Sequence, residues 1–447
     1  MNKVIFINDK IKNFNKTITV DGDKSLSIRW ALLASQAKGK SKAYNLLMSE
    51  DVLFTLKCLK KLGVKINLNK RYCEIIGKGI NSFNYKKNLT LNAGNSGTLG
   101  RLILALLIRS PFKIKLIGDR SLSKRDFSRV INPLKKFGAN FYPKDKGTLP
   151  IFIKGGESIK PIKYYETKGS AQIKSCVMLA ALNAPGTTKI IALNSRNHTE
   201  ILFKYLKIPI KVQRKKKLTS IEIKKKDEIS SFNYDIPSDI SSSAFFLILT
   251  ILSKNSKLTI KNVNINPTRT GCISILNKMG AKIIFKNIKY YKGEKIADIS
   301  VKSIKNLKAI NCPIKYNSSA IDEFLIIFLV AAKSKGVSFF KNLSELNQKE
   351  SPRLKLGSKI LNMMGIKTKL TDHSIKIFGN PNLKLVKTYK IKNYLKDHRI
   401  FMMSTIAGLA FGGNWTINDA DSINTSFPNF LKIIKNLGGK IKRKKKN

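Results

Sequence analysis

A chain of 447 residues is too long for one ordinary core and points to two domains, and 43% hydrophobic residues mark it as globular material. The formal charge of +58 suggests nucleic acid, yet only 13 of the 85 basic residues are arginine, the residue that phosphate and base forks favour, and the lysines run the whole length. A coding bias toward A/T-rich codons explains the surplus of Lys, Asn, Ile and Phe without a partner, leaving attraction to small anionic substrates as a side effect.

In chain order, the amino terminus MNKVIFINDKIKN has too short an apolar run for a signal peptide and reads as a strand from Val4 to Ile7. Asp21 to Ala37 follows, where Lys24, Ser25, Ser27 and Arg29 open directly into an apolar helix. Backbone N–H groups, a helix dipole and two cations there face one spot, which suits an anion. From this point two phrases alternate. One is an apolar helix, a polar or small-residue break and a strand, six times: ALLASQAKGKSKAYNL, LILALLIRSPFKIKLIGD, CVMLAALNAPGTTKIIAL, FFLILTILSKNSKLTIKNV, FLIIFLVAAKSKGVSFFKNL and MSTIAGLAFGGNWTIND. Helices apolar on every side belong inside a core. The other is an amphipathic helix closed by glycine and followed by a short strand, at Gly63, Gly138, Gly280, Gly365 and Gly438; a sixth copy, ILFKYLKIPIKV, lacks the glycine.

Repeats spaced by roughly 70 to 85 residues are sizeable subdomains, not solenoid turns. Each expects a further strand, such as Tyr72 to Ile76 or Ser374 to Ile377; the last repeat runs out without one, and the spare strand from Val4 to Ile7 is expected to complete it. Repeats one to three make one lobe, residues 23–238, and repeats four to six make the other, residues 239–447 with 1–22. The two crossings carry similar text, Val20-Asp21-Gly22-Asp23 and Ile236-Pro237-Ser238-Asp239, and read as a two-strand hinge.

The six apolar helices share polar entries: Asp23 to Arg29, Gly94 to Arg101, Lys168 to Gln172, Asp239 to Ser243, Ser318 to Glu323 and Lys396 to Arg399. Ordinary caps explain the Ser and Asp residues but not Lys24, Arg29, Arg101 and Arg399, because cations oppose the dipole at a helix start and call for an anion. If the repeats pack around a pseudo-threefold in each lobe, the entries gather on one face, and two such faces make a cleft for a substrate with several anionic groups. Three loops at strand ends add charge: Gly118 to Arg125, Asn194 to Thr199 and Asn347 to Arg353. Lysine clusters at Arg214 to Lys217 and Arg443 to Lys446 read as solvated loop and tail.

Five cysteines without CxxC spacing read as reduced core residues of a cytoplasmic protein, and three scattered histidines with no Cys/His set give no zinc site. The longest apolar runs fall short of the roughly 18 residues a membrane span needs. No metal, cofactor, membrane or nucleic-acid partner is expected, and the protein is expected to be a monomer.

The phrases GDKSLSIR, GNSGT, SAQIKS, SRNHTE, NPTRTG, IDE, KESPR, KDHR and TSFP stand in the order and spacing of the 5-enolpyruvylshikimate-3-phosphate synthases, and the resemblance covers essentially the whole chain. It implies an α/β fold, a two-lobed inside-out α/β barrel with three βαβαββ units per lobe. The implied reaction transfers the enolpyruvyl group of phosphoenolpyruvate to the 5-hydroxyl of shikimate 3-phosphate, without a cofactor. Carried over, Lys24, Ser25, Arg29, Ser170, Ala171, Gln172, Ser195, Arg196, Asp322 and Lys349 would hold shikimate 3-phosphate. Lys24, Asn95, Gly97, Arg125, Gln172, Arg353 and Arg399 would hold phosphoenolpyruvate. Asp322 would take the proton of the attacking hydroxyl, while Lys349 and Glu350 are the candidates to deliver one to the methylene carbon. Ile28, Pro352 and Thr425 depart from residues common in the family, histidine, aspartate and lysine respectively. Thr425 resembles a branch less sensitive to glyphosate and Gly97 the sensitive one. Two rivals are a UDP-N-acetylglucosamine enolpyruvyl transferase, against which the cysteine-free loop from Asp119 to Arg125 argues, and a basic nucleic-acid-binding protein, which lacks aromatic-rich basic strands.

Overall fold

The computed structural model describes residues 3–144 and 146–445, and of Lys445 the backbone. Each apolar phrase forms a helix: Lys24–Ala34, Gly97–Leu106, Ala171–Ala181, Ile240–Leu252, Phe324–Lys333 and His398–Phe411. They are the first to sixth buried helices, and residues on all sides of them are out of solvent. In the fourth, every residue from Ile240 to Ile251 is buried. At about 1.5–3 kcal/mol for each large apolar side chain, such helices are the main stabilising element of the fold.

The amphipathic phrases form helices at Glu50–Lys61, Ser128–Phe137, His198–Tyr205, Gly271–Lys278, Arg353–Met363 and Phe430–Asn436. Their five closing glycines all lie at positive φ, from 79° at Gly365 to 111° at Gly138. In the copy without glycine the chain still turns left-handed, and Lys207 takes the position at φ 53°.

Two compact units result. Unit 1 runs to Asp21, then takes Pro237–Tyr290 and everything from Lys295 onward; unit 2 takes Gly22–Ile236 and Tyr291–Glu294. The chain therefore passes between units after Asp21 and after Ile236, and twice more around a four-residue tip. Each unit has three sheets, one per repeat. Their strands alternate buried and exposed residues, as in Thr187–Leu193, so one face covers the helices and the other meets water. Helices inside and sheets outside make an inside-out α/β fold.

Within a repeat the buried helix is a parallel crossover. Strand Thr90–Asn92 pairs with Ile114–Ile117 across the second helix, Lys163–Glu166 with Thr187–Leu193 across the third, and Leu385–Ile391 with Gly412–Ile417 across the sixth. At the two unit crossings this pattern is exchanged. Strand Asn15–Ile18, which leads into the first helix, pairs with Lys257–Asn264 after the fourth, whereas Tyr234–Asp235, which leads into the fourth, pairs with Lys38–Tyr44 after the first. Each crossing strand stays in the sheet of the unit that it is leaving. Gly22 lies just beyond one crossing, and a Cβ there would meet the Asn45 carbonyl oxygen at 2.1 Å and Ile236 Cγ2 at 2.8 Å, so no side chain fits.

The amino-terminal strand Lys3–Ile7 does complete the last repeat, lying between Gly412–Ile417 and Lys442–Lys445. That second strand, solvated at residues 442–444 as expected, is not a tail: its register opposite Lys3–Phe6 gives the basic cluster a ladder partner. Lys446 lies outside the described residues.

Candidate active site

Five of the six buried helices begin on a side-chain cap. Asp23 accepts from Leu26 N, Ser96 from Leu99 N, Ser170 from Ile173 N, Asp239 from Ser241 N and Asp397 from Arg399 N. The fifth departs from this pattern. A short helix at Asn317–Ala320 precedes it, and Glu323 at its start makes no capping bond. Asp322 is thus placed beside a helix start without serving as its cap.

In unit 2 the helix starts are joined by arginines. Arg29, in the first buried helix, donates from Nε to Thr199 Oγ1 (2.8 Å) and from Nη2 to Ser175 Oγ (3.0 Å), and the two hydroxyls bond each other at 2.7 Å. Arg101, in the second, donates to Gln172 Oε1 of the third at 2.6 Å, while Gln172 Nε2 donates to Thr98 Oγ1 at 3.1 Å. Both ends of the Gln172 amide are therefore oriented. Arg125 donates to Asn95 Oδ1 (3.2 Å), whose amide nitrogen donates to Asp119 (2.6 Å). A Cβ on Gly97 would stand 3.0 Å from Arg101 Nη1 and 3.1 Å from Arg125 Nη1, so this glycine lets two guanidinium groups approach the helix start. Lys24 pairs with the buried Asp51 at 2.9 Å. Ser195 is buried, and among the described residues its hydroxyl has no hydrogen-bond partner; Arg196 beside it is half-buried. Ser25, Ser170 and Ala171 are half-buried at their helix starts.

In unit 1 the corresponding residues are tied by carboxylates. Arg353, 2% exposed, donates from Nε to Asp397 Oδ2 (2.8 Å) and from Nη2 to Asp397 Oδ1 (3.2 Å), and it also pairs with Glu350. Its Nη1 stands 3.7 Å from Asp322 Oδ1, and Lys349 Nζ stands 3.5 Å from the same oxygen. Arg399 donates to the Asp322 carbonyl and lies 3.9 Å from Glu323, which accepts from Ser241. Arg269 donates to Ser241 (2.8 Å) and Asp239 (3.3 Å). Contacts from Asp239 through Glu323 to Asp397 link the starts of all three buried helices. Burial alone would pull the Arg353 guanidinium down, but Asp397 and Glu350 outweigh it and hold it above arginine's ordinary value. Burial alone would raise Asp397, but Arg353 outweighs it and keeps the carboxyl below its usual range.

Sequence reasoning missed Asp51, Glu323 and Asp397. Each is an acid near a helix start, which reads as a cap, and its arginine or lysine partner lies far along the chain. Arg353 and Asp397 are 44 residues apart. Thr425, in the lysine's place, hydrogen-bonds His398 Nδ1 at 3.2 Å. Ile28 is fully buried, and Pro352 stands at the start of the helix Arg353–Met363. All five cysteines are buried free thiols, and burial pushes Cys58 up to about 12 and Cys312 to about 11, so neither is an activated nucleophile. Among the described residues no group of His, Cys, Asp and Glu is arranged to hold a metal, and no helix is long and apolar enough to cross a membrane.

Two three-repeat units with sheets outside and charged helix starts define the enolpyruvyl-transferase class of fold. The whole chain superposes on the enolpyruvyl transferase NikO of Streptomyces tendae with a TM-score of 0.78, covering 100% of each chain at 13% identity, a likeness of fold alone. The model of the EPSP synthase (3-phosphoshikimate 1-carboxyvinyltransferase) family matches residues 8–434, and the chain belongs to that family. A 3-phosphoshikimate 1-carboxyvinyltransferase from Ruthia magnifica subsp. Calyptogena magnifica is 39% identical, over 97% of this chain and 98% of the relative. One from Vesicomyosocius okutanii subsp. Calyptogena okutanii is 40% identical over the same shares. The solved EPSP synthase of Acinetobacter baumannii matches with a TM-score of 0.87 at 34% identity, over 99% of this chain and 100% of that one.

Proposed function

We propose that the protein transfers the enolpyruvyl group of phosphoenolpyruvate to the 5-hydroxyl of shikimate 3-phosphate and releases phosphate, a step in aromatic amino acid biosynthesis. The observation that carries the reading is Asp322: a carboxylate beside a helix start, not used as its cap, with Lys349 at 3.5 Å and Arg353 at 3.7 Å. In this reading Asp322 takes the proton of the 5-hydroxyl as its oxygen adds to C2 of phosphoenolpyruvate. Lys349 or Glu350 gives a proton to the methylene carbon, which becomes a methyl group. Loss of a proton from that methyl and of phosphate from C2 then restores the double bond.

Unit 2 supplies the shikimate 3-phosphate contacts of Lys24, Ser25, Arg29, Ser170, Ala171, Gln172, Ser195 and Arg196. The hydroxyls of Thr199 and Ser175 orient the Arg29 guanidinium, a group whose fork suits a phosphate. Lys24, Asn95, Gly97, Arg125, Gln172, Arg353 and Arg399 serve phosphoenolpyruvate. Acid–base groups and cations are enough to move these protons and hold both phosphates, so the reading assigns no metal or cofactor and has a monomer act in the cytoplasm. The test is a coupled phosphate-release assay. Phosphate should appear only with both substrates together, and no release from folded protein overturns the proposal.

A further inference from the structure

The chain enters unit 2 a second time for four residues, Tyr291–Glu294, and all four are engaged there. Tyr291 Oη accepts from Asp235 N at 2.8 Å. Lys292 donates to the Asn233 carbonyl, and its ammonium lies 5.0 to 5.4 Å from the ring centres of Tyr205, Tyr234 and Tyr291. Gly293, at φ 85°, packs so closely that a Cβ would meet Ile201 Cγ2 at 2.9 Å. Glu294 accepts from His198 Nδ1 at 2.6 Å, and both side chains are 0% exposed.

Three of these contacts fall on one short helix, His198–Tyr205, at its first residue, its fourth and its last. That helix carries part of the phosphate-binding apparatus. Thr199, next to His198, holds Arg29 at 2.8 Å and bonds Ser175 at 2.7 Å. Glu200 pairs with the buried Lys174 of the third buried helix at 2.7 Å. Ser195 and Arg196 lie in the loop that opens into it. The helix is thus held at three points by a segment whose Glu294 lies 96 residues from His198 in the chain. A buried ion pair is weak evidence for stability, since an apolar pair of the same volume often does as well or better; its best use is to fix geometry.

We infer that Tyr291–Glu294 is a positioning element for the anion site of unit 2, with Glu294 acting through His198 on Thr199, Arg29, Ser195 and Arg196. The inference rests on the functional reading above, because it takes the anion to be the phosphate of shikimate 3-phosphate. Glu294 touches no substrate in this account; it sets the helix that does.

The test is calorimetric binding of shikimate 3-phosphate alone to the full chain, beside phosphate-release kinetics. Glu294→Gln keeps the volume and removes the charge; binding should weaken about tenfold, the scale of one charge-assisted hydrogen bond. Glu294→Ala should weaken it at least as much. The KM for phosphoenolpyruvate and kcat at saturating shikimate 3-phosphate should stay within about twofold, a split that general destabilisation would not produce. If the alanine variant does not fold, Glu294→Gln and Gly293→Ala, which presses on Ile201, carry the test. Folded variants that bind shikimate 3-phosphate as the parent does, even with a lowered melting temperature, overturn the inference. So does an equal loss for both substrates. A parent protein that binds shikimate 3-phosphate but releases no phosphate overturns the transfer reaction and leaves this inference standing, whereas one that does not bind it overturns both.

Discussion

The two units share one repeat plan and one device, arginines in and beside the starts of helices, but they anchor those arginines differently. In unit 2, Arg29, Arg101 and Arg125 donate to hydroxyl, amide and carbonyl oxygens. In unit 1, Arg269, Arg353 and Arg399 meet Asp239, Asp397, Glu350 and Glu323. A neutral acceptor fixes where a guanidinium points, whereas a carboxylate both fixes it and offsets its charge. Hydroxyl and amide groups thus orient the guanidinium groups of unit 2 to which the proposed phosphate contacts are assigned. Unit 1 gathers carboxyl groups, Asp322 and Glu350 among them, around Arg353, where the proposed proton transfers would take place.

The sharpest way to break this contrast is to remove the group that it makes chemical. Asp322→Ala should cut kcat by roughly 10³- to 10⁴-fold, the upper range for a general base, while the KM for shikimate 3-phosphate moves only severalfold. Full turnover in that variant would remove Asp322 from the proton chemistry. Next comes the network itself. Asp397→Ala takes the bidentate partner from the buried Arg353, leaving it Glu350 and Asp322, and should destabilise unit 1 by about 3–5 kcal/mol in denaturant unfolding at neutral pH. Because Asp397 is held below its ordinary carboxyl value, its contribution is fully present above that value and is lost as pH falls through the lowered one. The gap between parent and variant should accordingly be constant near neutrality and close only below about pH 4. A gap that closes between pH 5 and 7 contradicts the pairing. Unit 2 should behave otherwise. Arg29→Ala would remove a proposed ligand contact and leave Ser175 and Thr199 their mutual bond. It should raise the KM for shikimate 3-phosphate by about 10²-fold, two charge-assisted bonds' worth, with kcat nearly intact. Equal losses in kcat and in affinity would erase the division between units.

Much of this was readable from the chain. Helix-closing glycines and helices apolar on all sides are local patterns, so the repeats, their count and the charged entries followed from sequence. The strand Lys3–Ile7 also found its place, because a repeat lacking one strand and a chain start holding a spare one complement each other. Three things were hidden, all of them non-local. Nothing in Asn15–Ile18 says that it pairs with Lys257–Asn264 instead of the sheet of the helix that it precedes. Asp397 reads as a cap, and it is one, but its second role depends on Arg353, 44 residues earlier. Glu294 sits in a hairpin with no motif, and its meaning comes from His198. The cations at helix starts were read as calling for a bound anion; in unit 1 the protein itself supplies carboxylates.

The smallest expected effect concerns the one repeat of unit 2 that lacks its closing glycine. Lys207 holds φ 53° where five other repeats place glycine, and it ends the helix that carries Thr199. A lysine there bears the Cβ clash of left-handed backbone, roughly 1–2 kcal/mol by the helix value. Glycine would relieve that clash but loses more chain entropy on folding, by about 0.4–1 kcal/mol. The Lys207 carbonyl accepts from Lys226, a bond that glycine keeps. Lys207→Gly should therefore stabilise unit 2 by about 0.5–1 kcal/mol and raise its thermal transition by about 1–4 °C, with binding of shikimate 3-phosphate unchanged. The mirror change, Gly365→Lys in unit 1, should cost a similar amount, since a Cβ there meets no atom within 4 Å and backbone conformation alone decides the outcome. If Lys207→Gly destabilises instead, the lysine makes contacts worth more than its strain, and this repeat differs from the other five by more than a missing glycine.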